Sequence, residues 1–370
     1  VFEVFEGQQV KFKSNKLVVA AGIRIDHASC GNREEEKMSK IPVLVTGGAG
    51  YIGSHAVLAL RDAGRHVAVI DDLSTGSREA VPDDVPFYQG SITERVLVDS
   101  IIDERGIGAI MHFAGSIVVP ESVEQPLKYY GNNTLGSHSL VSAAVDAGVK
   151  HILFSSTAAV YGAAEKVPVS EEDRKDPINP YGASKLMTER MLADASAAHP
   201  FNYGALRYFN VAGADPKGRS GQRGKGSTHL IKVAVEAAVG KRDHVAVFGT
   251  DYPTPDGTCI RDYIHVSDLA AAHVAALEWL TEHPDENLVM NCGYGRGLSV
   301  LEVLDAVDRH TNKPMKRILE GRRAGDPPEL VADNRRLLET LEWRPAHADI
   351  DRIVGDALAW EWKLARTTPS

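Results

Sequence analysis

Ile41-Pro-Val-Leu-Val-Thr-Gly-Gly-Ala-Gly-Tyr-Ile-Gly-Ser-His55 decides the fold. Its apolar start, Ile41–Thr46, reads as a short strand. Gly47, Gly50 and Gly53 follow with the spacing GxxGxxG, a variant of the dinucleotide fingerprint. His55–Ala63 reads as the helix they open. The three glycines do different things. Gly47 permits the tight turn, Gly50 lets the backbone approach a pyrophosphate, and Gly53 lets helix and strand pack closely. The helix N-terminus then offers free N–H groups and a partial positive charge to the anion. The next strand, His66–Ile70, is closed by Asp71 and Asp72. A carboxylate at Asp71 suits the ribose hydroxyls of NAD and repels the extra phosphate of NADP. A glycine cluster alone marks only a turn. The series strand, glycines, helix, strand, acid marks a dinucleotide site.

Outward from this unit the alternation continues. Val85–Tyr88, Ala109–Phe113 and His151–Ser155 read as strands, and 93–105, 121–147 and 179–198 as helices. Strands alternating with helices imply a parallel sheet covered on both faces. The expected class is therefore α/β, a Rossmann-type doubly wound parallel sheet. After about residue 207 glycine, proline and charge become denser, so a smaller C-terminal α/β substrate lobe is expected over 207–370. Segments of it return to the Rossmann domain, 38–206. Residues 1–37 are polar and unpatterned and read as an appendage outside the fold, the rival being an arm used in contacts.

Composition narrows the function. The 370 residues carry a net charge of −9, which argues against a nucleic-acid binder. Cys30, Cys259 and Cys292 make no disulfide framework or metal spacing, so no metal is expected and a cytoplasmic, reduced setting is. No apolar run approaches the roughly 20 residues of a membrane span, and Leu17–Ile23 is too short for a signal peptide's apolar core.

Tyr181-Gly-Ala-Ser-Lys185 supplies candidate chemistry. Four residues apart on a helix, Tyr181 and Lys185 share one face. A phenol with its ordinary pKa near 10 is a poor base. A neighbouring ammonium and a cationic nicotinamide both favour the phenolate. Bringing the value to about 7 needs about 4 kcal/mol of differential stabilisation. Tyr181 can then take a sugar hydroxyl proton while hydride leaves the same carbon. Lys185 can also hold the nicotinamide ribose. Ser155-Ser-Thr157 follows another strand and offers a hydroxyl to share the proton.

Together these elements resemble the extended short-chain dehydrogenase/reductase family, and within it the 4-epimerases of UDP-glucose and UDP-galactose. The resemblance spans about residues 41–362. Its most specific stretches are Thr46–His55, Arg207-Tyr-Phe-Asn210 with Gly213-Ala-Asp-Pro216, and Asp251–Val266. It implies an isomerase of galactose and nucleotide-sugar metabolism. Bound NAD would take hydride from sugar C4, the 4-keto sugar would turn over, and hydride would return to the other face. The nucleotide must be held firmly and the sugar loosely. The resemblance places NAD on Gly47, Gly50, Tyr51, Ile52, Gly53, Asp71, Asp72, Ser91, Ile92, Phe113, Ala114, Gly115, Asn132, Tyr181, Lys185 and Tyr208. It places the UDP-sugar on Thr157, Tyr181, Asn210, His229, Leu230, Ala246, Phe248, Arg261, Arg323, Asp326 and Leu330. Arg261 and Arg323 can fork onto the diphosphate, Phe248 can cover the base and Asp326 can accept from the ribose. A homodimer joined through 121–147 and 179–198 is also implied.

Several positions depart from the family pattern. Ile117 stands where a lysine is frequent, Ser91 where an aspartate meets the adenine, Thr157 for a serine and His229 for an asparagine. Leu330, where room around sugar C2 is set, is mid-sized, so N-acetylated sugars remain an alternative, as does UDP-glucuronate. A 4,6-dehydratase needs an acid and a base after Thr157, where this chain has Ala158 and Ala159, and a decarboxylase lacks its carboxylate there too. A non-catalytic NAD-binding regulator would have no need of Tyr181, Lys185 and Thr157.

Overall fold

The computed structural model describes residues 41–223, 227–323 and 326–367. The expected appendage 1–37, with Cys30 and Leu17–Ile23, lies outside them. The first half runs β1 (Val43–Thr46), α1 (Tyr51–Asp62), β2 (Val67–Asp71), β3 (Phe87–Gln89), α2 (Arg95–Arg105) and β4 (Ala109–His112). Short α3 (Val119–Glu124) and α4 (Pro126–Tyr129) precede α5 (Gly136–Asp146), β5 (His151–Thr157), α6 (Pro180–Ala198) and β6 (Asn202–Tyr208). The second half runs β7 (Asn210–Ala212), α7 (Leu230–Ala238), β8 (Val245–Phe248), β9 (Ile260–His265), α8 (Val266–Glu282) and β10 (Leu288–Cys292). It ends with β11 (Gly297–Ser299), α9 (Val300–Thr311), β12 (Arg317–Glu320), β13 (Glu329–Leu330), α10 (Arg335–Thr340) and α11 (Ile350–Thr367).

The main sheet has the order β10-β6-β5-β4-β1-β2-β3, and all its pairings are parallel. This is the doubly wound order with one strand added, and the α/β class is as expected. Strand periodicity explains the two cores. Val43, Val45, Val67, Val69, Ala109 and Met111 face Leu60 of α1 and Leu269 and Leu277 of α8. Leu44, Ala68, Ile70 and Ile110 face the other way, onto Ile101 of α2, Leu140 of α5 and Leu192 of α6. The remaining strands form smaller sheets, β11-β9-β13 with β7 on β9, and β12-β8.

The structure corrects two expected elements. The first helix starts at Tyr51, straight after Gly50, because glycine at the cap leaves the N–H groups of the first turn free. The continuous helix expected over 121–147 is broken. Pro126 opens a new segment, and Tyr130–Leu135 is a π-helical turn before α5. Pro126 has no N–H to continue a helix, and Gly131, Asn132 and Asn133 are poor helix formers. Cys259 and Cys292 are free and buried.

Candidate active site

The chain winds outward in opposite directions from β1 and β4, and ligands of such sheets bind outside the strand C-termini at that point. Gly47 and Phe113–Gly115 follow these two strands. Gly47 has φ +68°, and a Cβ there would lie 2.6 Å from the Ala114 nitrogen. Only glycine lets the two loops touch. A Cβ on Gly53 would sit 2.2 Å from the Gly47 carbonyl oxygen, so the first turn of α1 rests directly on the loop. Gly50 is the N-cap of α1, with no side chain over the free N–H groups.

Asp71 closes β2 beside this loop. Its carboxylate accepts from Ala49 N at 2.9 Å and Leu73 N at 2.8 Å. Burial pushes its pKa up, while the Leu73, Ala49 and Gly50 N–H groups pull it down. Asp72 instead accepts from Ser74 of its own exposed turn. A glycine cradle that a Cβ would fill, with a buried carboxylate at its rim, fits a dinucleotide. Tyr51 donates to Gly213 O at 2.7 Å, and Ile52 packs against the core below α1. Ser91 turns to Thr93 and Glu94, while Ile92 is buried in the α2–α5 core.

The Tyr–Lys pair sits at the end of β5. Asn179 caps α6 by accepting from Gly182 N at 2.9 Å, which places Tyr181 in the first turn. The Thr157 hydroxyl lies near enough to Tyr181 to favour its phenolate, and it accepts from Ala159 N at 3.1 Å. Lys185 donates to Ser155 O at 3.0 Å, with its Nζ 4.7 Å from the Phe154 ring centroid. Ser155 Oγ in turn donates to the Tyr208 hydroxyl at 3.1 Å.

The sequence suggests a phenol made acidic by Lys185 and a bound cationic nicotinamide together. In the protein alone burial pushes Tyr181 well above its ordinary value, and the nearby Thr157 hydroxyl opposes this. Burial also lowers the Lys185 ammonium to about 8, against the field of Glu189. The reason is desolvation: both ions are disfavoured in a dry site, and the Lys185 amine is turned to a carbonyl of β5.

Sequence reasoning misses Asn133. It is buried in the π-helical turn, accepts from Ser116 N at 2.7 Å and donates to Ser116 O at 3.0 Å and Ser184 Oγ at 2.9 Å. A Cβ on Gly115 would meet its Oδ1 at 3.0 Å and Lys185 Nζ at 3.7 Å. Asn133 thus ties the loop after β4 to α6. The neighbouring Asn132 is exposed and donates to Ser116 Oγ at 2.9 Å. An Asn-Asn pair inside a helical stretch is the signal that could have found it.

The expected substrate residues fall into separate groups. Asn210 is on β7, beside β9. Arg261, on β9, lies opposite both Leu298 and Leu330, and its guanidinium is 3.5 Å from Asp326. Leu330 packs against the Ala158, Val160, Tyr161 and Phe209 cluster that follows Thr157. Ala246 and Phe248 are on β8, and the Arg323 guanidinium covers the Phe248 ring at 3.6 Å. That contact takes the ring face expected to meet a base. His229 caps α7 ahead of Leu230, with its Nδ1 2.9 Å from Gln222 Nε2.

Comparison with known proteins agrees with this geometry. The model of the NAD dependent epimerase/dehydratase family matches residues 43–293. The UDP-glucose 4-epimerase of Azospirillum brasilense is 57% identical over 325 residues, covering 88% of this chain and 93% of the relative. UDP-glucose 4-epimerase from Brucella ovis, solved in complex with NAD, superimposes with a TM-score of 0.84 at 44% identity, covering 86% and 98% of the two chains. The enzyme from Bifidobacterium longum, solved with NAD+ and UDP, gives 0.83 at 36% identity over 88% and 100%.

Proposed function

Because the chain belongs to the NAD dependent epimerase/dehydratase family, we propose that it is an NAD-dependent isomerase interconverting UDP-glucose and UDP-galactose at C4. The observation that carries this reading is the Tyr181–Lys185 pair at the end of β5, with Lys185 fastened to Ser155 O and Thr157 beside the phenol, next to the glycine cradle. NAD, when bound, supplies the acceptor and donor of the C4 hydride and a further positive charge beside the phenol.

Tyr181 takes the C4 hydroxyl proton and later returns one, with Thr157 sharing it. Its buried phenol is a reluctant base, so cationic charge beside it is required; Lys185, one helical turn away, is the resident source. Gly47, Gly50 and Gly53 seat the cofactor pyrophosphate, and Asp71 its ribose. Arg261 and Arg323 hold the UDP diphosphate, which requires Arg323 to leave the Phe248 ring or to share it with the base. Ala158 and Ala159 offer no second acid or base, which leaves epimerisation without elimination.

The test is turnover: UDP-galactose is added with a UDP-glucose dehydrogenase, and NADH formation is followed. No signal with the NAD-loaded chain sinks the reading. A second reading, 4-epimerisation of UDP-N-acetylglucosamine or UDP-glucuronate, rests on the mid-sized Leu330, and the same enzyme assayed on each UDP-sugar separates the two.

The chain also acts as a homodimer in this reading. Val123, Leu127, Leu135 and Met187 are exposed apolar side chains within 121–147 and 179–198. Sedimentation at micromolar concentration should give twice the chain mass, and a monomer there refutes it. The cytoplasm is the proposed location, since Cys259 and Cys292 are free thiols, and no helix among the described residues is long and apolar enough to cross a membrane. Recovery outside the cytosolic fraction would overturn it.

A further inference from the structure

Behind the Tyr–Lys pair lies a buried polar row that the chemistry above does not use. Strand register puts Ser156 of β5 and Asn291 of β10 on either side of Arg207 of β6. All three are at most 5% exposed. Glu189 of α6, also buried, reaches down onto this row. It accepts from Ser156 Oγ at 2.5 Å and forks onto Arg207, with Nε to Oε1 at 3.0 Å and NH2 to Oε2 at 2.6 Å. The row continues through the Tyr161 hydroxyl, which accepts from Arg207 at 2.9 Å and donates to Asn291 Oδ1 at 2.6 Å. Asn291 Nδ2 then donates to Val169 O at 2.8 Å, and Val169 N to Val331 O at 2.8 Å, one residue after Leu330.

Two features make this more than core filling. Glu189 lies four residues after Lys185 and eight after Tyr181, so all three project from one stripe of α6. Ser156, which it grips, stands between Ser155, whose carbonyl holds Lys185, and Thr157, whose hydroxyl lies near Tyr181. Sliding or rotating α6 on the sheet would therefore break a buried, forked ion pair as well as the Lys185 contact. Such pairs are weak stabilisers, because desolvation offsets their attraction, but breaking one is costly. Their consequence is a fixed geometry.

We propose that Glu189, anchored by Arg207, is a positioning residue for the Tyr181–Lys185 pair: it locks α6 onto the end of β5 and keeps a negative charge one turn behind the Lys185 amine. The inference rests on the proposed roles of Tyr181 and Lys185. The groups facing that amine are the Ser155 carbonyl and Phe154 ring of β5, Asn133, the neutral His112 of β4 and Glu189.

Glu189→Gln in the NAD-loaded enzyme can keep the Ser156 and Arg207 Nε bonds to one oxygen, but it removes the charge and turns an amide NH2 onto the Arg207 NH2 group. It should lower kcat about tenfold with KM for UDP-galactose nearly unchanged. The alkaline limb of the kcat–pH profile should move down by about half a unit or more, because Lys185 loses the charge that favours its ammonium. The 13Cε resonance of Lys185 in lysine-labelled protein should titrate lower by a similar amount, a readout independent of turnover. Glu189→Asp should restore the limb without restoring full kcat. If Glu189→Gln does not fold, Ser156→Ala removes one hydroxyl from the clamp and should still lower kcat several-fold at constant KM. Variants that only melt earlier, with the parent's kcat, pH limb and Lys185 titration, overturn the proposal. A parent chain inactive on every UDP-sugar refutes the function itself, which is a different outcome.

Discussion

Replacing Gly53 and Gly50 with alanine separates a glycine the fold needs from one the ligand needs. On Gly53 the new methyl would lie 2.2 Å from the Gly47 carbonyl oxygen and 3.0 Å from Gly48 Cα. Both atoms are backbone and cannot swing aside. A carbon–oxygen contact settles near about 3.4 Å, so the loop must retreat by about 1 Å. Overpacking of this kind costs about 1–3 kcal/mol, and the helix propensity gained returns at most about 1 kcal/mol. Gly53→Ala should thus lose about 1–2 kcal/mol in urea unfolding of the NAD-free chain. Gly50 has φ −73° and ψ 173°, open to any residue, and its methyl would lie 3.2 Å from the same oxygen. Stability of Gly50→Ala should change by no more than about 0.5 kcal/mol. Yet the methyl covers the helix N-terminus where the pyrophosphate is proposed to sit, so NAD affinity should fall at least tenfold, about 1.4 kcal/mol. NAD released by acid from the purified chains measures occupancy directly. Full occupancy in Gly50→Ala, or parental stability in Gly53→Ala, would refute the corresponding half of the reasoning.

Other perturbations probe the rest of the site. Tyr181→Phe should lower kcat at least about a hundredfold while NAD stays bound, and near-parental turnover removes the phenol from its role. Asp71→Asn keeps the shape but leaves either the Ala49 or the Leu73 N–H facing an amide NH2, a loss of about 1–3 kcal/mol in unfolding. It should also narrow the preference for NAD over NADP in competition binding, and an unchanged ratio places the ribose elsewhere. Lys185→Met should abolish turnover yet stabilise the chain at pH 7 by up to about 3 kcal/mol, since burial has lowered the amine from 10.5 to about 8. The sign follows from proton uptake: between about 8 and 10.5 the unfolded chain binds more protons, so parental stability should rise with pH there, and the variant's should not. Leu330→Tyr should reduce activity on UDP-N-acetylglucosamine more than on UDP-glucose; equal reductions count against a size gate.

The parts legible in the sequence are those set by local backbone geometry. GxxGxxG states its need for close approach in consecutive residues, and a Tyr and a Lys four apart share a face wherever a helix forms. The alternating apolar runs likewise announce a sheet covered twice. What stays hidden depends on register between distant strands. Ser156, Arg207 and Asn291 are separated by 51 and 84 residues, and only the pairing of β5, β6 and β10 makes them neighbours. The broken helix around Asn133 escapes notice because a hydrophobic pattern continues across it while the backbone changes pitch. The motif shows the charge one turn from Tyr181, whereas the depth of burial that opposes the phenolate is a property of the whole fold.

On the proposed reading, catalysis needs a firm grip at one end of the substrate and a slack one at the other, and the two ends are built differently. At the nucleotide end Asp262 is fully buried between Arg261 and Tyr263 and accepts from Tyr294 N, Gly295 N and Ala332 N. Burial raises it to about 6 even against these N–H groups, so its presence there costs stability. In return it ties β9, which carries Arg261, to the loop after β10 and to the segment after Leu330. A guanidinium on so braced a strand loses little freedom when it meets a diphosphate. At the sugar end Leu330 packs on Ala158, Val160, Tyr161 and Phe209, a mostly apolar cluster. A ring held there by few directional bonds can present either face to the same phenol.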